Sequence, residues 1–419
     1  MALSLVLALC LSFATSGQLA SAATNGDANA DAMRAGEPGS GPPAYPFLIR
    51  RSVPHALAAT IHWSDVPNSH WAHKAIDHVG KDNNWMRDYG PDEDGDYPFK
   101  PDKLETRKLL ARAVVRAFVP DEPIDTEIHF KDLPDDAMFY DYANVAVKLG
   151  WMREIGGNFL PDNRVSMSTV HHVLVYALGL KDAAKGLRKI QTHNGVMFDT
   201  APNFGTTVIG MRLGLRYNHS DESLDVNPHS KLPRSEVAWS LYRATTLASW
   251  SIDDMEAYAD IELPAIGPKK QEFIQWGIDH AGYPYVWGGE WDEATSSGYC
   301  CGTQPVGGFD CSGLTWWVLK HQGGGWDNTP PRKYAGWDLP QRTSALMATV
   351  GNIGWNHLEV GDLMFYDGDD DGTVDHVDTY IGNGWSLDSG SSNAGVTITF
   401  TGDGSWYDDH FVHGRRIIK

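Results

Sequence analysis

From residue 61 to about residue 248, apolar positions recur at three- and four-residue spacing, separated by polar breaks rich in Asp, Gly and Pro. His70–Val79, Leu109–Phe118, Tyr140–Leu149 and Val170–Leu178 each gather their apolar side chains on one stripe, which predicts a helix over each. The texture changes at Pro268. Lys270–Ala281 reads as a short amphipathic helix with Phe273, Ile274, Ile278 and Ala281 inward, and Leu314–Lys320 reads as a second. Asp362–Tyr366 and His376–Ile381 read as strands, and Gly382-Asn383-Gly384 is a hairpin turn that returns the chain along Trp385–Ser389. The pattern predicts an all-α module followed by an α+β domain with an antiparallel sheet.

The helical part repeats itself. Trp63-Ser64-Asp65-Val66-Pro67 recurs as Phe130-Lys131-Asp132-Leu133-Pro134 after 67 residues and as Phe198-Asp199-Thr200-Ala201-Pro202 after another 68. A midpoint follows in each unit: Phe99-Lys100-Pro101, Phe159-Leu160-Pro161 and Val226-Asn227-Pro228. A helix start at Thr106-Arg107 returns as Pro233-Arg234. A steady period of this kind marks one supersecondary unit copied three times, over about 61–127, 128–195 and 196–248. Asp65, Asp132 and Asp199 precede the first helix of each unit, where a carboxylate is expected to accept unpaired backbone N–H groups. These markers resemble the S-layer homology (SLH) repeat. The resemblance implies a three-fold helical module over 61–248 that binds secondary cell-wall polysaccharide, with Arg107 and Arg234 as ligand-binding arginines. Met167 stands at the matching place of the second repeat.

The N-terminal segment bears on location. Leu5–Phe13 is an apolar run of signal-peptide length, and Ala20-Ser21-Ala22 supplies a small-residue cleavage pattern. Residues 1–22 are therefore expected to be a signal peptide, 23–60 a disordered Gly/Pro/Asp-rich linker, and 249–267 a second linker. No later stretch is long and apolar enough for a transmembrane helix. Asp and Glu number 54 against 34 Lys and Arg, a formal net charge of −20 that argues against a nucleic-acid partner. Loss of residues 1–22 would remove Cys10 and leave Cys300, Cys301 and Cys311, an odd count that keeps one thiol available.

Cys311 opens the predicted helix after Phe309-Asp310, where the partial positive charge of a helix N-terminus favours an anionic sulfur. A nucleophilic Cys needs a base, normally His, and a third group to orient it. His376 begins a strand, and the following hairpin strand is expected to bring Asp388 beside it. Five segments in order resemble the NlpC/P60 cysteine peptidases over about 268–419: Pro284-Tyr285-Val286-Trp287-Gly288-Gly289, Phe309-Asp310-Cys311-Ser312-Gly313-Leu314, Leu339-Pro340-Gln341-Arg342-Thr343-Ser344, Gly361-Asp362-Leu363 and Asp375-His376-Val377. The resemblance implies a papain-like α+β domain that cuts peptidoglycan stem peptides between D-glutamate and the diamino acid, without metal or organic cofactor. It implies Cys311 as nucleophile, His376 as base, Asp388 as the third member and Tyr285 as an oxyanion donor. Asp310 and Ser312 are expected to meet the substrate's free amine. Many members of that family carry His where Asp388 stands.

Three further readings bear on function. Asp367-Gly368-Asp369-Asp370-Asp371-Gly372 with Asp378 mimics a calcium-loop spacing, but Asp378 falls on a strand rather than a helix, so a solvated hairpin loop is expected and no metal. The longer segment 290–308 is expected to shape one wall of the cleft. The whole chain thus reads as a secreted, wall-associated cysteine endopeptidase whose two parts act independently. The alternatives are an amidase or transpeptidase on the same fold, or a non-catalytic surface-layer protein.

Overall fold

The computed structural model describes residues 61–291, 307–320, 339, 341–392 and 395–418, all within one unit. The expected signal peptide, the 23–60 linker, Cys300, Cys301 and most of the 290–308 segment lie outside the described residues.

Eight helices are described before Pro268: α1 (His73–Ile76), α2 (Arg107–Phe118), α3 (Tyr140–Lys148), α4 (Met167–Ala177), α5 (Lys181–Arg188), α6 (Phe204–Arg212), α7 (Arg234–Thr246) and α8 (Ser249–Glu256). The chain continues from α1 as a wider π-turn to Asp82. The repeats meet in a closed ring of backbone hydrogen bonds. Glu105 N donates to Leu232 O at 2.9 Å, Leu232 N to Val165 O at 3.1 Å and Val165 N to Glu105 O at 3.1 Å. Each repeat thereby satisfies buried peptide groups of the next, as an interior requires.

The repeated residues explain themselves locally. Asp65 accepts the N–H groups of Phe99 and Lys100 at 2.8 and 2.7 Å, and Asp132 accepts those of Phe159 and Leu160 at 2.8 Å each. Both carboxylates therefore hold the midpoint turn, not the start of a helix as expected. The turn needs holding because Lys100 and Leu160 adopt left-handed φ values of 60° and 59°, a costly conformation for a side chain with a Cβ. Asp199 departs from this pattern and takes Gln275 of the following domain as partner.

Arg107 and Arg234 cross from one repeat to the next. Arg107 Nε donates to Phe159 O at 2.8 Å, and Arg234 Nε donates to Phe99 O at 2.8 Å. Arg107 stays half-buried, with Nη2 on Arg153 O. Arg234 is wholly buried: Nη2 reaches Met86 O at 2.8 Å, and Nη1 pairs with Asp88 at 2.6 Å and Glu105 at 2.9 Å. Contrary to the expectation for wall polymer, the Arg234 side chain is committed inside the module and offers no face to a ligand. Met167 has no such role, and Arg216 Nε takes the corresponding carbonyl, Val226 O, at 3.0 Å.

Residues 249–267, expected as a linker, are folded into the structure. They form α8, a 3₁₀ turn Ala257–Asp260 and strand β2 (Glu262–Leu263), which pairs in parallel with β1 (Gln191–Thr192). Tyr258 is buried, donates its hydroxyl to Ile398 O at 2.8 Å and packs edge-on against Trp385. Module and C-terminal domain share one continuous apolar core.

The C-terminal domain has α9 (Pro268–Ile278), the short pair β3 (Glu290–Trp291) and β4 (Gly308–Phe309), α10 (Cys311–Lys320), α11 (Ser344–Ala348) and α12 (Trp406–Asp409). Its sheet comprises β5 (Leu363–Tyr366), β6 (His376–Gly382), β7 (Trp385–Gly390), β8 (Gly395–Phe400) and β9 (Phe411–Arg415) in the antiparallel order β8-β7-β6-β5-β9. The β6–β7 hairpin turns through Asn383 and Gly384 at φ 53° and 79°, the positive values its two-residue turn demands. Helix α10 lies on β6 and β7.

The burial of Arg234 gives a direct prediction. Arg234→Met leaves Glu105 buried without its guanidinium and Asp88 with Arg112 alone, so the variant should lose about 3–5 kcal/mol of stability. Arg107→Met should lose clearly less, because Arg107 is only half-buried. Chemical denaturation of the full chain measures both, and an unshifted midpoint for Arg234→Met would refute the structural role.

Candidate active site

Cys311 is the first residue of α10 and a free, buried thiol. Asp310 fixes that helix start by accepting the Gly313 N–H at 2.5 Å and the Ser312 hydroxyl at 2.9 Å, while its second oxygen takes the Gly288 N–H at 3.0 Å. Arg342 holds the same corner. Its Nε binds Glu290 at 2.5 Å, Nη1 binds Ser312 Oγ at 2.7 Å and Asp310 at 3.2 Å, and Nη2 binds the Gly289 carbonyl at 3.1 Å. Gly313 has to be glycine here, since a Cβ would stand 1.8 Å from Gly289 O. Asp310 and Ser312 are thus held by Arg342 at the N-terminus of α10, on either side of Cys311. Arg342 belongs to the Leu339–Ser344 segment, but its role in gathering Glu290, Asp310 and Ser312 rests on contacts 30 or more residues apart.

Tyr285 arrives beside the nucleophile through backbone pairing. Phe309 N donates to Pro284 O at 3.1 Å and Val286 N to Phe309 O at 3.2 Å, so Tyr285 runs alongside the residues that precede Cys311. Burial first, then the charges of Cys311 and Asp310, raise the pKa of the Tyr285 phenol, which keeps it a hydrogen-bond donor at neutral pH.

His376 and Asp378 are two apart on β6 and share one face of the sheet. The β6–β7 register pairs Thr379 with Leu387 and Tyr380 with Ser386; one step further along it, Asp388 lies opposite Asp378. The consequence is a crowded nitrogen. His376 Nε2 lies 3.0 Å from Asp378 Oδ1 and 3.1 Å from Asp388 Oδ1, with both carboxylates fully buried. Ser386 donates to the other Asp378 oxygen at 2.9 Å, and Tyr407 donates to Asp388 Oδ2 at 3.1 Å.

Two buried carboxylates this close cannot both be freely ionised. Burial and the neighbouring Asp388 push Asp378 up. Burial also opposes ionisation of Asp388, but His376, a hydrogen bond from Asp378 and the Arg212 charge outweigh it and hold Asp388 down. Asp378 is therefore the carboxyl favoured to take up a proton, and Asp388 the one favoured as the anion facing the imidazole. Burial alone would discharge His376, yet Asp378, Cys311 and Asp388 raise its pKa well above that of a free imidazole. With Nε2 occupied by carboxylates, Nδ1 is the nitrogen left to exchange a proton with sulfur. The arrangement can hold a thiolate–imidazolium pair and move one proton.

Asp378 is an unexpected partner of His376, for which the i, i+2 spacing on a strand is a usable signal. Two sets of metal-ligand types converge among the described residues: His376, Asp378 and Asp388, and separately Asp367, Asp369 and Asp375. In the first, hydrogen bonds already account for the imidazole nitrogen. In the second, Asp367 accepts the N–H groups of Asp371 and Gly372 at 3.1 and 2.8 Å and Asp375 accepts that of Gly368 at 3.1 Å, so the loop closes on itself; Asp378 is turned away toward His376. No helix among the described residues is long and apolar enough to cross a membrane.

The chain is 30% identical over 143 residues to the murein DD-endopeptidase MepH of Escherichia coli, covering 34% of this chain and 43% of that protein. It is 30% identical over 141 residues to the bifunctional muramidase/DL-endopeptidase CwlT of Bacillus subtilis, covering 33% and 34%. The chain thus spans less than half the length of these curated relatives. Among solved structures, the P60 domain of an M. avium subspecies paratuberculosis antigen is 29% identical over 36% of this chain and 96% of that one, with a TM-score of 0.26. Residues 282–416 match the NlpC/P60 family, and this C-terminal part of the chain is an NlpC/P60 domain of papain-like fold with an antiparallel sheet.

Proposed function

We propose that the protein is a secreted cysteine endopeptidase of the bacterial wall, cutting peptidoglycan stem peptides between D-glutamate and the diamino acid. The observation that carries this reading is Cys311 at a helix N-terminus within reach of an imidazole whose far nitrogen is held by buried carboxylates. The match of residues 282–416 to NlpC/P60, and relatives named as endopeptidases, support the substrate class.

The chemistry follows from the geometry. The Cys311 thiolate attacks the scissile carbonyl carbon, and the carbonyl π electrons move onto oxygen. Tyr285 and the Cys311 N–H are the donors placed to receive that oxyanion. As the oxyanion collapses, the C–N bond breaks and His376 Nδ1 delivers its proton to the leaving amine, which leaves a thioester. Neutral His376 then takes a proton from water, whose oxygen attacks the thioester and releases a carboxylic acid and the Cys311 sulfur. Asp388 holds the imidazole tautomer and offsets its charge throughout.

For the helical module we propose binding to secondary cell-wall polysaccharide, as the SLH resemblance implies. Of the two expected arginines, Arg107 remains available in part and Arg234 does not.

Three outcomes are expected. Cys311→Ala and His376→Ala should each abolish release of fragments from purified peptidoglycan while leaving the fold intact, as read by mass spectrometry and circular dichroism. Wild-type release by Cys311→Ala would eliminate the proposed nucleophile.

The two carboxylates should differ. At pH 6, Asp378→Asn replaces a protonated acid with a neutral amide and should keep kcat/KM within about tenfold, while Asp388→Asn removes the anion and should cost about a hundredfold or more. The sign of the pH effect is fixed by His376. Its raised pKa keeps the imidazolium present until pH climbs through that raised value, so loss of the Asp388 charge should move the alkaline limb of kcat/KM to lower pH. Equal losses at pH 6, with an unmoved limb, would contradict the assignment.

Arg107→Ala should lower the ratio of turnover on insoluble walls to turnover on soluble stem peptides, with less protein retained in a wall pulldown. An unchanged ratio and retention would remove Arg107 from wall binding.

A further inference from the structure

The third repeat reaches the back of the catalytic centre. Helix α6 packs against β8 of the catalytic sheet and ends at Arg212. Arg212 Nη1 donates to Thr399 Oγ1 at 3.3 Å, and that hydroxyl donates onward to Asp388 Oδ2 at 3.4 Å. Tyr407, whose hydroxyl lies 3.1 Å from the same carboxylate oxygen, is also hydrogen-bonded to Arg212, as is Tyr258. A cation from the helical module therefore stands behind the carboxylate that faces His376, with one hydroxyl on each of two bridging residues.

We propose that Arg212 is a positioning residue for the peptidase: through Thr399 and Tyr407 it holds Asp388 ionised and oriented on His376, so the catalytic centre is complete only with the third repeat in place. The inference rests on the Cys311/His376/Asp388 reading given above. Its physical basis is the cost of a buried anion. Asp388 is fully enclosed, and a second carboxylate lies against the same nitrogen. An isolated carboxylate in such a place would take up a proton. The titratable groups around it are His376 and Asp378 on β6, Tyr366 on β5, Tyr407 on α12, Tyr258 in the 3₁₀ turn and Arg212 on α6. Within this set the cations are the imidazolium and Arg212, and the imidazolium is the one that must change charge during turnover. Arg212 supplies a charge that stays constant through the cycle.

A second contact agrees in direction. The Glu222 carboxylate, also from the third repeat, accepts the Trp287 N–H at 2.8 Å, two residues from Tyr285. The repeat thus touches the centre both behind Asp388 and near the oxyanion side.

The test uses the full chain carrying Arg212→Met or Arg212→Lys, each with and without Asp388→Asn. Two readouts are followed against pH: kcat/KM on a soluble stem peptide, and the rate of iodoacetamide labelling at Cys311 followed by peptide mass spectrometry. The second needs no substrate, so it still reports on the thiolate–imidazolium pair should the stem-peptide assignment fail. Arg212→Met should move the acid limb of the labelling and kcat/KM profiles up by about one pH unit or more, because Asp388 then protonates more readily; that is tenfold in rate below the limb. Arg212→Lys should restore most of the shift, and in the Asp388→Asn background Arg212→Met should have no effect on the limb. Thr399→Val and Tyr407→Phe remove the bridges without touching α6 and should each reproduce part of the shift, which keeps the test decisive if Arg212→Met misfolds. A lowered melting temperature with unmoved acid limbs, or equal losses with and without Asp388→Asn, would reduce Arg212 to interface packing and overturn the proposal.

Discussion

The catalytic end of this protein depends on one nitrogen with two carboxylates. His376 Nε2 has both Asp378 and Asp388 within hydrogen-bond distance, all inside the sheet and away from water. Like charges opposite each other on neighbouring strands are destabilising, and buried anions more so. The surrounding structure resolves the conflict by making the two unequal. Asp378 is favoured to take up a proton and holds the Ser386 hydroxyl, while Asp388 receives Tyr407, Thr399 and, behind them, Arg212. The imidazole then faces a single well-supported anion, and its other nitrogen is left for the thiol. Strand register, the β6–β7 turn and the approach of α6 all bear on whether this inequality is kept.

Much of this was legible in local pattern. The three-fold period, the helix and strand positions, and Cys311, His376 and Asp388 all follow from motifs whose members lie close in sequence or across one hairpin. What escaped was carried by contacts between distant segments. Asp65 and Asp132 look like helix caps because they precede helices, but the stronger demand comes from left-handed turns at Lys100 and Leu160, 35 and 28 residues away. Arg234 looks like a surface residue at a helix start. Its burial is decided by Asp88, Met86, Phe99 and Glu105, all more than a hundred residues earlier. Arg342 grips Asp310 and Ser312 from 32 and 30 residues away, a clamp that their position beside Cys311 does not announce. Composition made 249–267 resemble a linker, whereas Tyr258 fits a pocket built by Trp385 and Ile398 on strands more than a hundred residues later.

That packed junction alters what joining two modules accomplishes. A flexible tether raises local concentration and leaves each module's chemistry alone. A shared core fixes orientation, and it lets a charge on one module bear on a proton in the other. Here the same stretch of chain does both kinds of structural work: α6 carries core residues Val208, Ile209 and Met211 on one side and ends with a guanidinium aimed at the catalytic sheet. Loosening the junction to gain reach would draw Arg212 away from Thr399 and leave Asp388 with less to oppose its burial. Reach and charge support are therefore in competition at this interface. The burial of Tyr258 and the pairing of β1 with β2 show the balance lying on the side of rigidity.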